Sequence, residues 1–157
     1  MPMQRERVVQ SGLCDYLRTD HPGIIFASDT AASLPLTKGL AVLQARHKNP
    51  SKGYPDLFIA AKRGKFAGCF IELKAEGERI FLRDGSVSTK EHIQNQHATL
   101  SQLRNEGYCA EFVIGLEQAK AFVDWYLAGA DTTGDLLIER NADGDFRFTN
   151  TNTGEVF

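Results

Sequence analysis

Two short stretches of sequence decide the fold, GYPD at positions 53–56 and CFIELKA at positions 69–75. An apolar run follows the first stretch, and a turn at Arg63-Gly64 precedes the second. This pattern predicts two adjacent antiparallel β-strands, over residues 56–61 and 68–75, joined by a short connection. The rest of the fold is expected to assemble around this pair of strands.

The charged residues of these two stretches are expected to meet at one end of the predicted sheet. Side chains alternate along a strand, so Glu72 and Lys74 share one face, about 7 Å apart along the backbone. Placing them in so apolar a strand costs desolvation unless other groups compensate. Asp56 would bring a second carboxylate, and a hard divalent cation would remove the carboxylate repulsion. The alternative is a structural ion pair, with Asp56 only closing the turn after Pro55.

Helices and further strands are predicted on both sides of this pair. Apolar spacing and helix-ending residues favour helices over residues 3–18, 34–48, 89–106 and 116–127. Short apolar runs favour strands over residues 23–28 and 111–114. An Asp-Gly turn predicts an inserted hairpin over residues 80–88, and a C-terminal hairpin is predicted after residue 131. The order α-β-β-β-α-β of the main elements predicts an α/β fold.

Composition limits the classes of protein that fit. The chain has 157 residues, 42% of them hydrophobic and 24% charged, which is typical of one soluble domain and excludes disordered or collagen-like sequence. Neither a membrane-spanning run nor the apolar core of a signal peptide is present, so we expect a cytoplasmic protein without a membrane partner. The three distant cysteines do not indicate a disulfide framework or a close-spaced zinc site.

Charge is unevenly distributed along the chain. The net charge of −2 argues against a nucleic-acid partner, but residues 38–65 carry +6 and the remainder carries −8. This basic segment contains the GYPD stretch, so we predict that it contacts a phosphate backbone beside the metal site. The alternative is a solvated loop face. The candidate DNA-binding residues are Lys48, Lys52, Lys62, Arg63 and Lys65.

The motifs together resemble a known family of nucleases. The matching positions are GxPD at 53–56, FIELKA at 70–75, Gln96, Leu103 and Gly107-Tyr108. In order and spacing they resemble the VRR-NUC branch of the PD-(D/E)XK superfamily over about residues 4–128. The resemblance implies a restriction-endonuclease-like core, with a mixed sheet flanked by helices, and a requirement for Mg²⁺ or Mn²⁺. We expect this core over residues 1–130 and an appended hairpin over residues 131–157; the inserted hairpin departs from the shortest family members.

The resemblance also implies roles for individual residues. It assigns metal ligation to the side chains of Glu6, Asp56 and Glu72 and to the backbone carbonyl of Leu73. Lys74 would position and polarise the attacking water, and Gln96 would orient that water or a phosphate oxygen. The alternative for Glu6 is a solvated carboxylate favoured by the helix dipole, and the alternative for Gln96 is a surface amide.

These roles imply a metal-dependent, structure-selective DNA endonuclease with no organic cofactor. We expect it to resolve four-way (Holliday) junctions as a homodimer, because a symmetric junction needs two nicks. Similar small proteins are often encoded by phages and bacteria, so a phage protein acting in host cytoplasm is consistent with the resemblance. The alternatives are a monomeric nicking or 5′-flap nuclease and a catalytically silent module that binds nucleic acid. The intact Asp56, Glu72 and Lys74 weigh against the silent module.

Overall fold

The computed structural model describes residues 2–29, 37–47, 52–129, 136–140, 146–150, 154 and 156. Its elements, in chain order, are α1 (Pro2–Asp20), β1 (Phe26–Ser28), α2 (Lys38–His47), β2 (Leu57–Ile59), β3 (Cys69–Lys74), α3 (Glu91–Asn105), β4 (Cys109–Ile114), α4 (Gly115–Leu127), β5 (Leu136–Arg140) and β6 (Phe146–Asn150). The predicted order of helices and strands is therefore present, and the helix expected over residues 34–48 is α2.

The central sheet is mixed, as the resemblance implies. Its strand order is β1-β2-β3-β4. β2 is antiparallel to both β1 and β3, and β4 is parallel to β3. A parallel pair needs a crossover, and α3 supplies it between β3 and β4. In the β2–β3 pair Leu57 faces Ile71, so the same register continued by one residue sets Asp56 opposite Glu72. The sheet itself thus brings the two predicted carboxylates to one end.

The two faces of β3 have different neighbours, although all six of its residues are buried. Cys69, Ile71 and Leu73 belong to the apolar core formed with α1 and α4, which contains Leu13 and Tyr126. The other face begins with an aromatic cluster, in which Phe70 stacks on Phe58 at 4.4 Å between ring centroids and meets Tyr108 at 5.1 Å. Glu72 and Lys74 follow Phe70 on this second face, where Glu72 contacts Gln96 of α3. The apolar core therefore fixes the strand whose opposite face carries the charged pair.

Of the two predicted hairpins, one differs from the structure in detail. The inserted hairpin at 80–88 is a turn closed by a single bridge between Phe81 and Val87 rather than two regular strands. In this turn Asp84 accepts hydrogen bonds from the backbone N–H and the hydroxyl of Ser86. The C-terminal hairpin is present as the antiparallel pair β5–β6. The proposed boundary at residue 130 lies outside the described residues and stays a prediction.

The glycine of the GYPD stretch is needed because its backbone lies against α3. Gly53 has φ +87°, and a Cβ atom there would lie 2.7 Å from the backbone nitrogen of Gln96 and 2.8 Å from the carbonyl carbon of Asn95. The hydroxyl of Thr99 also donates to the carbonyl of Lys52 at 3.2 Å. This close approach holds the loop before Asp56 against the helix that carries Gln96.

We expect Gly53→Ala to destabilise the protein by about 2–4 kcal/mol, because it adds a backbone clash to the cost of a left-handed alanine. Gly77→Ala is the matched control, since Gly77 has φ +83° and a Cβ atom added there would meet no other atom within 4 Å. Gly77→Ala should lower the free energy of unfolding by only about 1 kcal/mol. Urea denaturation of both variants measures the difference, and equal losses would show that the contact with α3 is not tight.

Candidate active site

The loop that carries Asp56 is fixed by hydrogen bonds from three directions. The side-chain Oδ2 of Asp56 accepts a hydrogen bond of 2.7 Å from the backbone N–H of Leu73. Its carbonyl accepts one of 2.8 Å from the backbone N–H of Asp29. The side-chain amide of Gln10, on α1, donates to Ser28 Oγ at 2.8 Å and to the Asp29 carbonyl at 2.9 Å. The Asp56 carboxylate is therefore held beside β3 by backbone groups and by α1.

Glu72 and Lys74 form a buried ion pair at the same place. Only 2% of Glu72 and 3% of Lys74 are exposed, and Lys74 Nζ lies 2.9 Å from Glu72 Oε1. The same ammonium lies 3.6 Å from Oε1 of Glu6, on α1. The side-chain amide of Gln96, on α3, donates a short hydrogen bond to Glu72 Oε1. The structure thus brings together Asp56 and the four side chains that the resemblance places near it.

Burial and mutual repulsion disturb the protonation of this cluster. Burial, with the Asp56 charge, raises the pKa of Glu72 from 4.5 to about 8. Burial also raises the pKa of Glu6 to about 7, against the opposing effect of Lys74, and raises the pKa of Asp56. Burial alone would lower the pKa of Lys74, but the carboxylates beside it, Glu72 foremost, raise it overall. The single ammonium of Lys74 therefore does not neutralise the three carboxylates of Glu6, Asp56 and Glu72.

The donor set fits a hard divalent cation. Oε2 of Glu72 is buried and has no hydrogen-bond partner, and the strand register sets Asp56 opposite Glu72. Oxygen ligands of this kind suit Mg²⁺ and Mn²⁺. In the described part of the chain no three His, Cys, Asp or Glu side chains are already grouped as a metal site. The ammonium of Lys74 contacts both Glu6 and Glu72. The residues therefore fit a cation at the Asp56–Glu72 pair.

Two neighbouring residues are not among the predicted site residues. Glu78 shares a hydrogen bond with Glu6 and so raises the pKa of the Glu6 carboxyl, and its Oε1 lies 3.7 Å from His92 Nε2. The sequence indicates only that residues 76–92 shape the mouth of the site. Gln10 holds the Asp56 loop, and the only sequence signal for it is its place four residues after Glu6, on the same face of a helix.

The five candidate DNA-binding residues do not form one stripe beside the site. Lys52 lines a cleft of about 400 Å³ next to Gln96. Lys62, Arg63 and Lys65 follow β2, at the opposite end of the sheet from Asp56, and the length of β3 alone separates these ends by about 15 Å. The expected grouping of these three residues with the metal site is therefore not found. Their role as DNA contacts stays a prediction.

Arg63 has a clear structural role in this distant turn. Its Nε donates to the carbonyl of Leu127 at 2.9 Å, which ties the turn to the C-terminal end of α4. The ammonium of Lys65 lies 5.3 Å from the centre of the Phe66 ring. Lys48 lies outside the described residues. Among the four candidates that lie in the described part of the chain, Lys52 is thus the one beside the proposed catalytic residues.

Comparison with solved structures supports the fold. A structure described as "VRR_NUC domain protein" aligns with a TM-score of 0.53, covering 83% of this chain and 90% of that chain at 22% identity. No family model and no curated protein sequence matches the chain. At this identity the alignment shows the fold, and the expected VRR-NUC, restriction-endonuclease-like architecture is confirmed at that level. No helix among the described residues is long and apolar enough to cross a membrane.

Stability without metal should fall as pH rises, because Glu72 has a higher pKa in the folded state than in the unfolded chain. Between pH 4.5 and about 8 the folded protein keeps a proton on Glu72 that the unfolded chain has released. Glu72→Gln cannot ionise, so its melting temperature in EDTA should match the wild type near pH 5 and exceed it increasingly towards pH 8. Thermal melts from pH 5 to 8 measure this difference.

The control for this comparison is Glu91→Gln, since the Glu91 side chain is 85% exposed on α3. Its melting temperature should follow that of the wild type across the whole pH range. A Glu72→Gln protein that became less stable than the wild type as pH rose would contradict the assignment of Glu72 as an under-neutralised carboxylate.

Proposed function

We propose that the protein is a metal-dependent DNA endonuclease. The observation that carries the proposal is the Glu72–Lys74 pair, buried at the end of β3 with Asp56 opposite, in a chain that shares the fold of a VRR_NUC domain protein. A structural ion pair would not need Asp56 beside it, nor a buried Glu72 oxygen without a hydrogen-bond partner. These features favour a reaction centre over a silent binding module.

The proposed ligands of the cation are Asp56, Glu72 and the carbonyl of Leu73, with Glu6 alongside. Mg²⁺ or Mn²⁺ bound there would lower the pKa of a bound water and offset negative charge on the phosphoryl group. Oxygen donors and an uncompensated negative charge support this assignment. The backbone N–H of Leu73 fixes one Asp56 oxygen, which leaves the other oxygen of that carboxylate available to a ligand.

Lys74 and Gln96 would act on the attacking water. The Lys74 ammonium is nearly fully buried between Glu72 and Glu6, so its position is fixed and its charge is little screened. From there it would hold the water and favour its deprotonated form. Gln96 reaches the same Glu72 oxygen and would orient the water or a phosphate oxygen. The water oxygen bonds to phosphorus, the bond to the 3′ oxygen breaks, and that oxygen takes a proton, leaving 5′-phosphate and 3′-hydroxyl ends.

The proposed substrate is branched DNA, with a four-way junction as the first candidate. A homodimer would present two active sites related by a twofold axis, which suits paired nicks on a symmetric junction. The motif resemblance supports this substrate, and exposed Lys52 beside the site supports contact with a phosphate backbone. We place this activity in a cytoplasm, with a phage-infected cell as one setting.

The decisive experiment incubates the purified protein with a labelled four-way junction, a 5′ flap and a plain duplex. Each DNA is tested with Mg²⁺, with Mn²⁺ and with EDTA. We expect metal-dependent paired nicks on the junction and little cleavage of the duplex. Cleavage of the flap alone, by protein that sediments as a monomer, would favour the monomeric flap nuclease. Binding without cleavage under every metal condition would overturn the enzyme proposal.

Lys74→Ala should lower junction cleavage by about a thousandfold, because it removes the group that holds and polarises the water. Junction binding should change little, since Lys74 is buried and is not a surface contact. Lys120→Ala is the matched control, because Lys120 lies on α4 and pairs with Glu117 at 3.0 Å, away from the site. Single-turnover rates and thermal melts of both variants separate catalysis from folding, and wild-type cleavage by a folded Lys74→Ala protein would refute the assignment.

A further inference from the structure

Helix α2 is unusually exposed for an element that contains several apolar residues. None of its residues is buried, and Leu40, Val42 and Leu43 are 53%, 63% and 50% exposed. Within the described residues it packs extensively against no other helix or strand. The Thr37 side chain accepts a hydrogen bond from the Leu40 backbone N–H and so caps its first turn. A cap alone does not hold a ten-residue helix firmly in water, so α2 needs a partner surface.

The segment that contains α2 leaves from the mouth of the proposed active site and returns to it. It leaves after Asp29, whose backbone N–H donates to the carbonyl of Asp56 at 2.8 Å. It returns through Gly53, whose backbone lies against α3 at Gln96. The side-chain amide of Gln10 donates hydrogen bonds to the carbonyl oxygens of both Asp29 and Asp56, at 2.9 and 3.4 Å. The described residues on either side of the segment, Asp29 and Gly53, are therefore both anchored beside the reaction centre.

The charge of α2 favours nucleic acid over a second copy of the helix. The helix contains Lys38 and Arg46, ends at His47, and has no acidic residue. Packing α2 against α2 of another copy would bring basic residues together, whereas a phosphate backbone would neutralise them. Leu40 and Leu43 lie one turn apart on the same face of the helix. Phosphates do not satisfy an apolar face, so the complementary partner combines phosphates with exposed base surfaces.

We propose that α2 binds the branch point of DNA, with Leu40 and Leu43 against unstacked bases and with Lys38 and Arg46 on the flanking phosphates. This inference rests on the proposed nuclease function and names the feature that would select branched DNA. A plain duplex keeps its bases stacked and offers no apolar surface to the leucines. Apolar side chains that enter base steps are a known way for proteins to hold distorted DNA. The leucines therefore add affinity for branched DNA alone, and the basic residues add affinity for branched and duplex DNA alike.

The test compares Leu40→Ser/Leu43→Ser, Arg46→Ala and a control, Ile25→Ser. Ile25 is 73% exposed and directly precedes β1. Affinity for labelled four-way junction and duplex is measured with Ca²⁺ in place of Mg²⁺, and gels confirm that the DNA stays intact. The double variant should lose about tenfold in junction affinity and nothing on duplex. Arg46→Ala should weaken both by a similar factor and lower the salt dependence. Ile25→Ser should match the wild type.

Three results would overturn the inference while leaving the nuclease proposal intact. They are unchanged junction affinity of the double leucine variant, an equal loss on duplex, and conversion of a dimer into monomers in sedimentation, which would assign α2 to contact between copies. A wild-type chain that binds neither DNA would overturn both proposals. As a second readout, 2-aminopurine at the branch point should brighten when the wild type binds, and should brighten less when the double variant binds at saturating concentration.

Discussion

The buried ion pair between Lys74 and Glu72 is the constraint on which the site depends. Two charges are taken out of water at the C-terminal end of an apolar strand, and their mutual attraction offsets that cost only in part. Glu6 and Asp56 add carboxylates without adding a second cation, so burial raises the pKa of all three carboxyl groups. The folded protein is therefore built around a region of excess negative charge, and it gains stability from a proton or a cation bound there.

The surrounding structure keeps these charges from moving apart. The antiparallel register of β2 and β3 sets Asp56 opposite Glu72, and the Leu73 backbone N–H fixes one Asp56 oxygen. Gly53 allows the preceding loop to lie directly on α3, which brings Gln96 to Glu72. The first two of these contacts use backbone groups, whose positions are set by the sheet and by α3. Repulsion between Asp56 and Glu72 is therefore not easily relieved by rotating either side chain into solvent.

The sequence predicts the part of the site that follows from local periodicity. Alternation along β3 places Glu72 and Lys74 on one face, and the position of Asp56 follows once the two strands pair. Gln10 and Glu78 act through contacts between elements far apart in the chain, and no local pattern reveals such distances. The summed charge of residues 38–65 is misleading for the opposite reason. It combines residues that are near in sequence, although β2 carries some of them to the far end of the sheet.

An excess of negative charge at the reaction centre has a consequence for the order of binding. A phosphodiester brings further negative charge to a cluster whose carboxylates already repel one another, so DNA alone would be held poorly near Asp56 and Glu72. A divalent cation at that pair would neutralise the net charge of the cluster, remove its repulsion of the phosphate and offer the phosphate oxygen a ligand position. By linkage, DNA would then raise the affinity for the cation by the same factor. Basic residues away from the carboxylates, such as Lys52 and those of α2, would hold DNA independently of the metal. Proposed substrate selection and proposed catalysis thus rest on different charges, which allows DNA to be bound before the metal site is complete.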